Sequence, residues 1–587
     1  MMNLDLAALA EDAAYDLVVV GAGGAGMAAA LFGALEGQTV LLVEHEAVVG
    51  GTTAWSGATT WIPGTQHAAS VGSGPEDSAV AAEFMRRTVG NRSSEALRAA
   101  FLRNGPAAIA RLEAETPVNF RARPLHPDYI QDVEGATLRG RALEPLPFDG
   151  RLLGEDLALV RPPIPEFTVL GGMMVDRDDI PHLLKMTKSA KSFVYSAKLL
   201  ARYGMDRLRH SRGTRLLMGN ALVGRLLYAL KRKGVALLTR TKVERLLLGE
   251  GGIEGVALRQ GDTRRVVRAR KGVVMATGGF NRHPKRRAEM LHQPTPAYSP
   301  AAPGHTGELH DLALAAGARY AEGGLDNAFW APCSVRKRPD GTTAVFPHFV
   351  LDRSKPGTLC VDQTGQRFVN ESTSYHLFVR AMFEANRTRP TIPCFIVTDA
   401  EGLRRYGLGM VRPNASPKAL APFLADGYLT EAPTPEALAG KLGMDPAHLR
   451  DAVAAMNRYA QTGVDEEFGR GTTDYHKVNG DASRGFPNPT MGPIGTAPFY
   501  AVKLYPGDIG ASTGMVTDAD AQVLGPDDRP IGGLYAVGND MQSIMGGVYN
   551  APGITIGPGI TFAYAAARHA AGRDGQASVA PARGKAA

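Results

Sequence analysis

Apolar positions along the chain fall into two rhythms, and each predicts a different element. The runs that close at Val20 and Val43 are short, unbroken and rich in β-branched residues, the pattern of parallel strands buried on both faces. An alanine-rich stretch after the first run predicts a helix, so the chain opens as a strand–helix–strand unit. Residues 76–105 predict further helices, and residues 220–230 another. Residues 116–165, rich in Pro, Gly, Arg and Asp, predict a long structured loop. The runs GVALLTRTKVERLLL, GVALRQ and RRVVRARKGVVMATGGF predict strands. Residues 301–488 change texture, with GELHDLALAAGARY as a helix among several short strands, and predict an inserted second domain. Near the end, MGGVYNAPGITIGPGITFAYAAARHAA passes from a Gly/Pro loop into a helix. Residues 574–587 have the composition of a disordered tail.

What joins the first strand to the helix carries chemistry. Gly21, Gly23 and Gly26 stand at G-x-G-x-x-G spacing, with Gly24 between. The first glycine permits the tight turn, the second a close approach of backbone to a pyrophosphate, and the third close packing of helix on strand. Phosphate then rests on the amide-rich end of the helix. Glu44 closes the second strand where a carboxylate meets a ribose hydroxyl. This is an adenine dinucleotide site. Gly50, Gly51, Thr52, Thr53, Ser56 and Gly57 follow the acid at once, and that supply of small and hydroxyl groups is an FAD pattern more than an NAD pattern. No histidine lies among these small residues, so FAD is expected to be held non-covalently.

Charge adds one feature. Lys and Arg outnumber Asp and Glu, 65 to 58, for a net +7. Residues 183–212 hold Lys185, Lys188, Lys191, Lys198, Arg202, Arg207, Arg209 and Arg212 against the single acid Asp206. Met186, Ala190, Phe193, Val194, Ala197, Ala201 and Leu208 recur there at helical spacing, which predicts a basic amphipathic helix. Such a helix either presents a solvated face or rests on an anionic membrane surface and meets lipid-soluble substrates there. Few aromatics accompany the basic residues, and a nucleic-acid partner is not expected. Cys333, Cys360 and Cys394 are far apart, and no H-E-x-x-H, P-loop or EF-hand pattern occurs, so no metal is expected. No signal peptide or spanning segment is evident, and a cytoplasmic setting is expected. Gly510–Gly514 matches G-x-S-x-G, but the MVTDADAQVL that follows is no helix, which excludes a serine nucleophile elbow.

Taken together, the glycine turn, GGTT, ATGGF, RFVNES, PFYAV, GLYAVGN and GGVYNAPGITIGPGITFAYAAARHA resemble the flavoproteins of the fumarate reductase and succinate dehydrogenase superfamily, and within it the 3-ketosteroid dehydrogenases. The resemblance covers residues 15–572. It implies an α/β fold, with a Rossmann-like FAD-binding domain at 12–300 and 489–573 and an inserted α+β substrate (capping) domain at 301–488. A basic helical insertion at about 181–215 is extra. Cofactor contacts are then implied at Val243, at Ala276, Thr277 and Gly278, at Gly538 and Asn539, and at Thr555 and Ile556. The implied reaction is ring desaturation, most directly at the 1,2 position of a 3-ketosteroid. In it the flavin takes hydride from the carbon β to a ketone and a base takes the α proton. Tyr549 and the amide of Gly553 match the pair that polarises the ketone, Tyr375 matches the base, and Tyr129 a supporting phenol. TAPFYAVKLYPGDIG offers tyrosines where dicarboxylate reductases show histidine and arginine, so a neutral ketone, a steroid or other bulky cyclic one, is expected. The electron acceptor would be quinone-like or a dye. Asn550, Ala551, Ile554 and Ala58 depart from the family pattern near the ketone site. They leave open 4,5-desaturation of a 5α-3-ketosteroid and a fumarate-reductase-like enoate reductase. A flavin-binding protein at the membrane surface, without turnover, is the non-enzymatic alternative.

Overall fold

A computed structural model describes residues 3–74, 76–350 and 352–573. The tail expected at 574–587 lies outside the described residues. The chain folds as a mixed α/β protein around two large sheets.

The first sheet grows from the opening unit. Strand Ala14–Val20 leads into helix Gly24–Leu35, and strand Val40–Val43 returns parallel to the first. Strand Ala236–Leu238 extends the sheet beyond Val40–Val43, and strand Thr263–Met275 flanks Ala14–Val20 on the other side. Strand Pro530–Ala536 joins parallel to the C-terminal end of Thr263–Met275. The opposite end of that long strand pairs antiparallel with Gly252–Gln260. Leu17, Val18 and Val19 are fully buried, as the unbroken apolar run requires, between helix Gly24–Leu35 and the rest of the core. Helix Ile556–Ala570 packs beside Gly24–Leu35, with Phe32 edge-on to Tyr564 at 5.2 Å.

The second sheet is wholly antiparallel and has the 13-residue strand Phe499–Ala511 at its centre. That strand pairs with Ala328–Lys337 and Cys394–Asp399, so residues 499–511, expected with the cofactor segments, lie inside the second sheet. Two further apolar clusters, separate from that of the first sheet, bury its faces. The three cysteines are buried thiols.

The basic segment differs from its expectation. Its helix runs Ala190–Arg207, after a short helix Asp179–Leu184, and the face turned inward is polar: Ser192, Ser196, Tyr203 and Asp206. Hydrogen bonds dock it, from Tyr195 to Asp179 at 2.6 Å, from Tyr203 to the Leu170 carbonyl at 2.7 Å, and from the Thr214 amide to Asp206 at 2.8 Å. Its apolar residues point outward instead, with Phe193 56% and Leu208 83% exposed among the cations. Among the described residues no helix is long and apolar enough to cross a membrane.

Candidate active site

One cavity of about 740 Å³ runs from the glycine turn of the first sheet to a cluster of tyrosines against the second. All the expected cofactor residues line it except Gly26 and Gly50. Those two act one layer back. A Cβ on Gly26 would stand 1.8 Å from the Gly21 carbonyl oxygen, so only glycine lets the helix close on the turn. Gly50, at φ +111°, donates its amide to the Ala22 carbonyl at 2.7 Å.

The turn fits a dinucleotide. Gly21 adopts φ +105°, and a Cβ there would meet the Ala276 carbonyl at 2.2 Å. Gly23 has open space where a side chain would stand, and it begins the helix with no side-chain cap. An amide-rich helix end therefore opens on the cavity, the arrangement that receives phosphate. Glu44 also lines the cavity while its two oxygens accept the amides of Ala22 and Glu46, at 2.8 and 2.9 Å, and burial raises its carboxyl above the usual range. On the far wall, Asp540 is fully buried and accepts from the Thr277 and Gly279 amides and from His310. It thereby holds the Ala276–Gly278 turn against Gly538. His305 reaches the Thr52 hydroxyl at 3.2 Å, and burial pushes its imidazole down to about 4, so it is neutral.

The tyrosine end is assembled from distant segments. Tyr129, Tyr375 and Tyr549 meet with ring centroids 5.1–5.7 Å apart. The Tyr129 hydroxyl donates to that of Tyr375 at 3.2 Å. Phe349 and Phe329 pack edge-on to Tyr375 and Tyr549. Each phenol has its own mount. Tyr375 is the first residue of helix Tyr375–Ala385, whose N-cap is Ser374. Tyr129 is fixed through its amide to the Asn550 carbonyl at 2.8 Å. Beneath it Asp128 accepts from the Trp61 indole and Arg141, and Arg141 also binds Asp77, all at 2.8 Å. Tyr549 leads into Gly553, at φ +92°, where a Cβ would meet the Thr59 carbonyl at 2.3 Å. The Gly553 N–H has no acceptor among the described residues.

Burial shapes the electrostatics. It pushes Tyr549 up to about 12, and Tyr129 and Tyr375 well above the ordinary phenol value; neighbouring phenols raise Tyr129 and Tyr375 further, while the hydrogen bond with Tyr375 opposes the rise at Tyr549. A phenol that accepts a proton near neutral pH is helped by a lowered pKa, and burial works against that here. The positive end of the helix that starts at Tyr375 is the opposing influence, since it favours a phenolate.

A fourth phenol, Tyr475, was not foreseen. Its ring lies 4.9 Å from that of Tyr129, and its buried hydroxyl has no hydrogen-bond partner among the described residues. Lys355 lines the same cavity. No motif spacing marks either residue. The Ser512 of the G-x-S-x-G match is buried, donates to the Asp326 carbonyl, and is not followed by a helix, so it is no nucleophile.

Comparison with known proteins shows the family. The sequence model of the FAD binding domain matches residues 16–556. The chain belongs to that family. A 4-oxocyclohex-2-ene-1-carboxylate 5-dehydrogenase of Sinomonas cyclohexanicum is 35% identical, over 95% of this chain and 94% of its own length. A 3-oxosteroid 1-dehydrogenase of Mycobacterium tuberculosis is 33% identical, over 96% of this chain and 99% of its own. The solved 3-ketosteroid delta1-dehydrogenase of Sterolibacterium denitrificans, in complex with 1,4-androstadiene-3,17-dione, superposes with a TM-score of 0.88. It is 32% identical, and the match covers 95% of this chain and 99% of that one. The likeness to 3-ketosteroid dehydrogenases drawn from the motifs thus extends over nearly the whole flavoprotein, and FAD is its cofactor.

Proposed function

We propose that this flavoprotein desaturates the carbon–carbon bond beside a ring ketone, with 1,2-desaturation of a 3-ketosteroid as the leading reaction. The observation that carries the reading is the meeting of three tyrosines and the acceptor-free Gly553 amide in one cavity that continues to the glycine turn. When bound, FAD supplies the two-electron acceptor for hydride from the carbon β to the ketone. Tyr549 and the Gly553 amide donate to the ketone oxygen and stabilise the enolate charge that grows there, which acidifies the α hydrogen. Tyr375 takes the α proton. Tyr129, by donating to the Tyr375 oxygen, orients that phenol and stabilises it when it carries charge.

FAD is held non-covalently in this reading, in a Rossmann-like domain built on the parallel strands. The antiparallel sheet, strand Phe499–Ala511 included, forms the capping domain. The electron acceptor is quinone-like or a dye. The relative that acts on a carboxylated cyclohexenone supports a second reading: the same chemistry on a smaller ring. The outward Phe193, Val194, Met205 and Leu208 among cations support contact with an anionic membrane surface from the cytoplasmic side. Co-sedimentation with phosphatidylglycerol vesicles, lost in a Phe193→Ser/Leu208→Ser double variant, is expected. Equal recovery with neutral vesicles would contradict it.

Anaerobic titration tests the main reading. A 4-ene-3-ketosteroid is expected to bleach the flavin band near 450 nm, about where oxidised flavins absorb. Bleaching by the 5α-saturated analogue alone would move the reaction to the 4,5 position. Reoxidation of the reduced protein by a dicarboxylic alkene, without response to either steroid, would make it an enoate reductase.

A further inference from the structure

One corner of the cavity does not suit a purely neutral ketone. Lys355 lines it and donates to the carbonyls of Asn479 and Gly480, both at 2.8 Å. An ammonium carries three donors, and the third has no acceptor among the described residues. Lys355 also forms no ion pair there. The two carboxylates that act on it through space are committed elsewhere: Asp481 accepts from Tyr406 and Ser483, and Asp352 from His348 and Gly409. Arg353, fully buried behind this wall, gives its guanidinium to the carbonyls of His348, Phe349, Glu371 and Thr373 and likewise has no ion pair. The corner thus holds a buried guanidinium and a partly buried ammonium, neither with a paired anion among the described residues, an arrangement that a negative group would relieve.

Tyr475 supplies an independent sign. It stands on the short helix Asp474–Val478, just before the carbonyls that Lys355 binds; the residue lines the cavity, and its buried hydroxyl has no hydrogen-bond partner among the described residues. Burial raises its phenol well above the usual value, so it remains a neutral donor. A buried donor left without an acceptor costs about 1–3 kcal/mol, and a ligand oxygen relieves that cost. We infer that Lys355 and Tyr475 form a carboxylate subsite, and that the ring ketone taken here carries a carboxylate. The inference rests on the ring-ketone reading and adds to it a charged group on the substrate.

The alternative role for Lys355 is purely structural, capping the carbonyls after helix Asp474–Val478. The test separates the two by a ratio. Anaerobic flavin reduction is measured with 4-oxocyclohexane-1-carboxylate and with 3-oxochol-4-en-24-oate, each beside its methyl ester. The wild-type protein is expected to favour at least one acid over its ester in kcat/KM. Lys355→Met is expected to lower that acid-to-ester ratio by about 10- to 100-fold, the range for a hydrogen bond to a charged group. Tyr475→Phe is expected to lower it less, and Lys355→Arg to keep most of it. A capping lysine would depress acid and ester alike and leave the ratio where it was. No acid preference in the wild type, or an unmoved ratio in both Lys355→Met and Tyr475→Phe, overturns the subsite. If Lys355→Met fails to fold, the wild-type preference and Tyr475→Phe decide. Failure of every acid, ester and 4-ene-3-ketosteroid to bleach the flavin overturns the ring-ketone reading itself, a different result.

Discussion

The two ends of the cavity are built on opposite plans. The glycine turn is backbone chemistry confined to neighbouring residues: Gly21, Gly23 and Gly26 matter for the atoms they lack, and strand Ala14–Val20 with helix Gly24–Leu35 sets the geometry. The tyrosine end is side-chain chemistry gathered across the chain, its key hydrogen bond joining residues 246 apart in sequence. At the first end a single added methyl closes a space. At the second, each phenol depends on a separate mount, and loss of a mount disturbs the chemistry while the cofactor site stands.

Substitutions can break that contrast, and the largest effect belongs to the turn. Gly26→Val forces side-chain atoms onto the Gly21 carbonyl, which a Cβ would already approach to 1.8 Å. The variant is expected to purify without its yellow flavin band, or not to fold. Next comes the mount under Tyr129. Arg141→Leu strands Asp77 and Asp128, and breaking a buried pair from one side costs about 3–5 kcal/mol. Thermal unfolding should register that loss while the remaining folded protein still binds flavin. Burial already pushes Asp128 up to about 6 beside Arg141. A carboxyl raised on folding favours the folded state below its unfolded pKa, and that advantage is lost as pH rises through the folded value. The deficit of the variant is therefore expected to shrink below pH 6. The smallest effect lies between the two ends. Ala58 holds φ +53°, a left-handed conformation that costs a non-glycine residue about 1 kcal/mol. Ala58→Gly is expected to raise the unfolding midpoint by about one degree at most, offset in part by glycine's freedom in the unfolded chain.

The contrast also explains what was legible in advance. The turn, its acid and the threonines after it announce themselves because the residues that cooperate are adjacent. Tyr129, Tyr375 and Tyr549 were located through motifs shared with related proteins, and their meeting in one cavity followed from no spacing in this chain. Asp540 with His310, and Lys355 with Tyr475, carry no local signature, since their partners come from other segments. Strand Phe499–Ala511 was assigned to the wrong neighbours for the same reason: strand pairing is decided across hundreds of residues. The basic helix shows the limit of periodicity. Its apolar residues were spaced for burial, yet hydrogen bonds of Tyr195, Tyr203 and Asp206 turned the other face inward.

The central claim is that cofactor binding and proton removal are separable, the latter resting on Tyr375. The most direct measurement is stopped-flow flavin reduction of Tyr375→Phe under anaerobic conditions, from pH 7 to 10, beside the wild type. Because burial holds the Tyr375 phenol above its ordinary value, its ionised fraction and the wild-type rate should climb with pH across that range. The variant is expected to carry a full complement of FAD and to be reduced about 10²- to 10⁴-fold more slowly, the usual worth of a general base, with the rise in pH dependence gone. Reduction at the wild-type rate, with the same climb toward alkaline pH, would contradict the account.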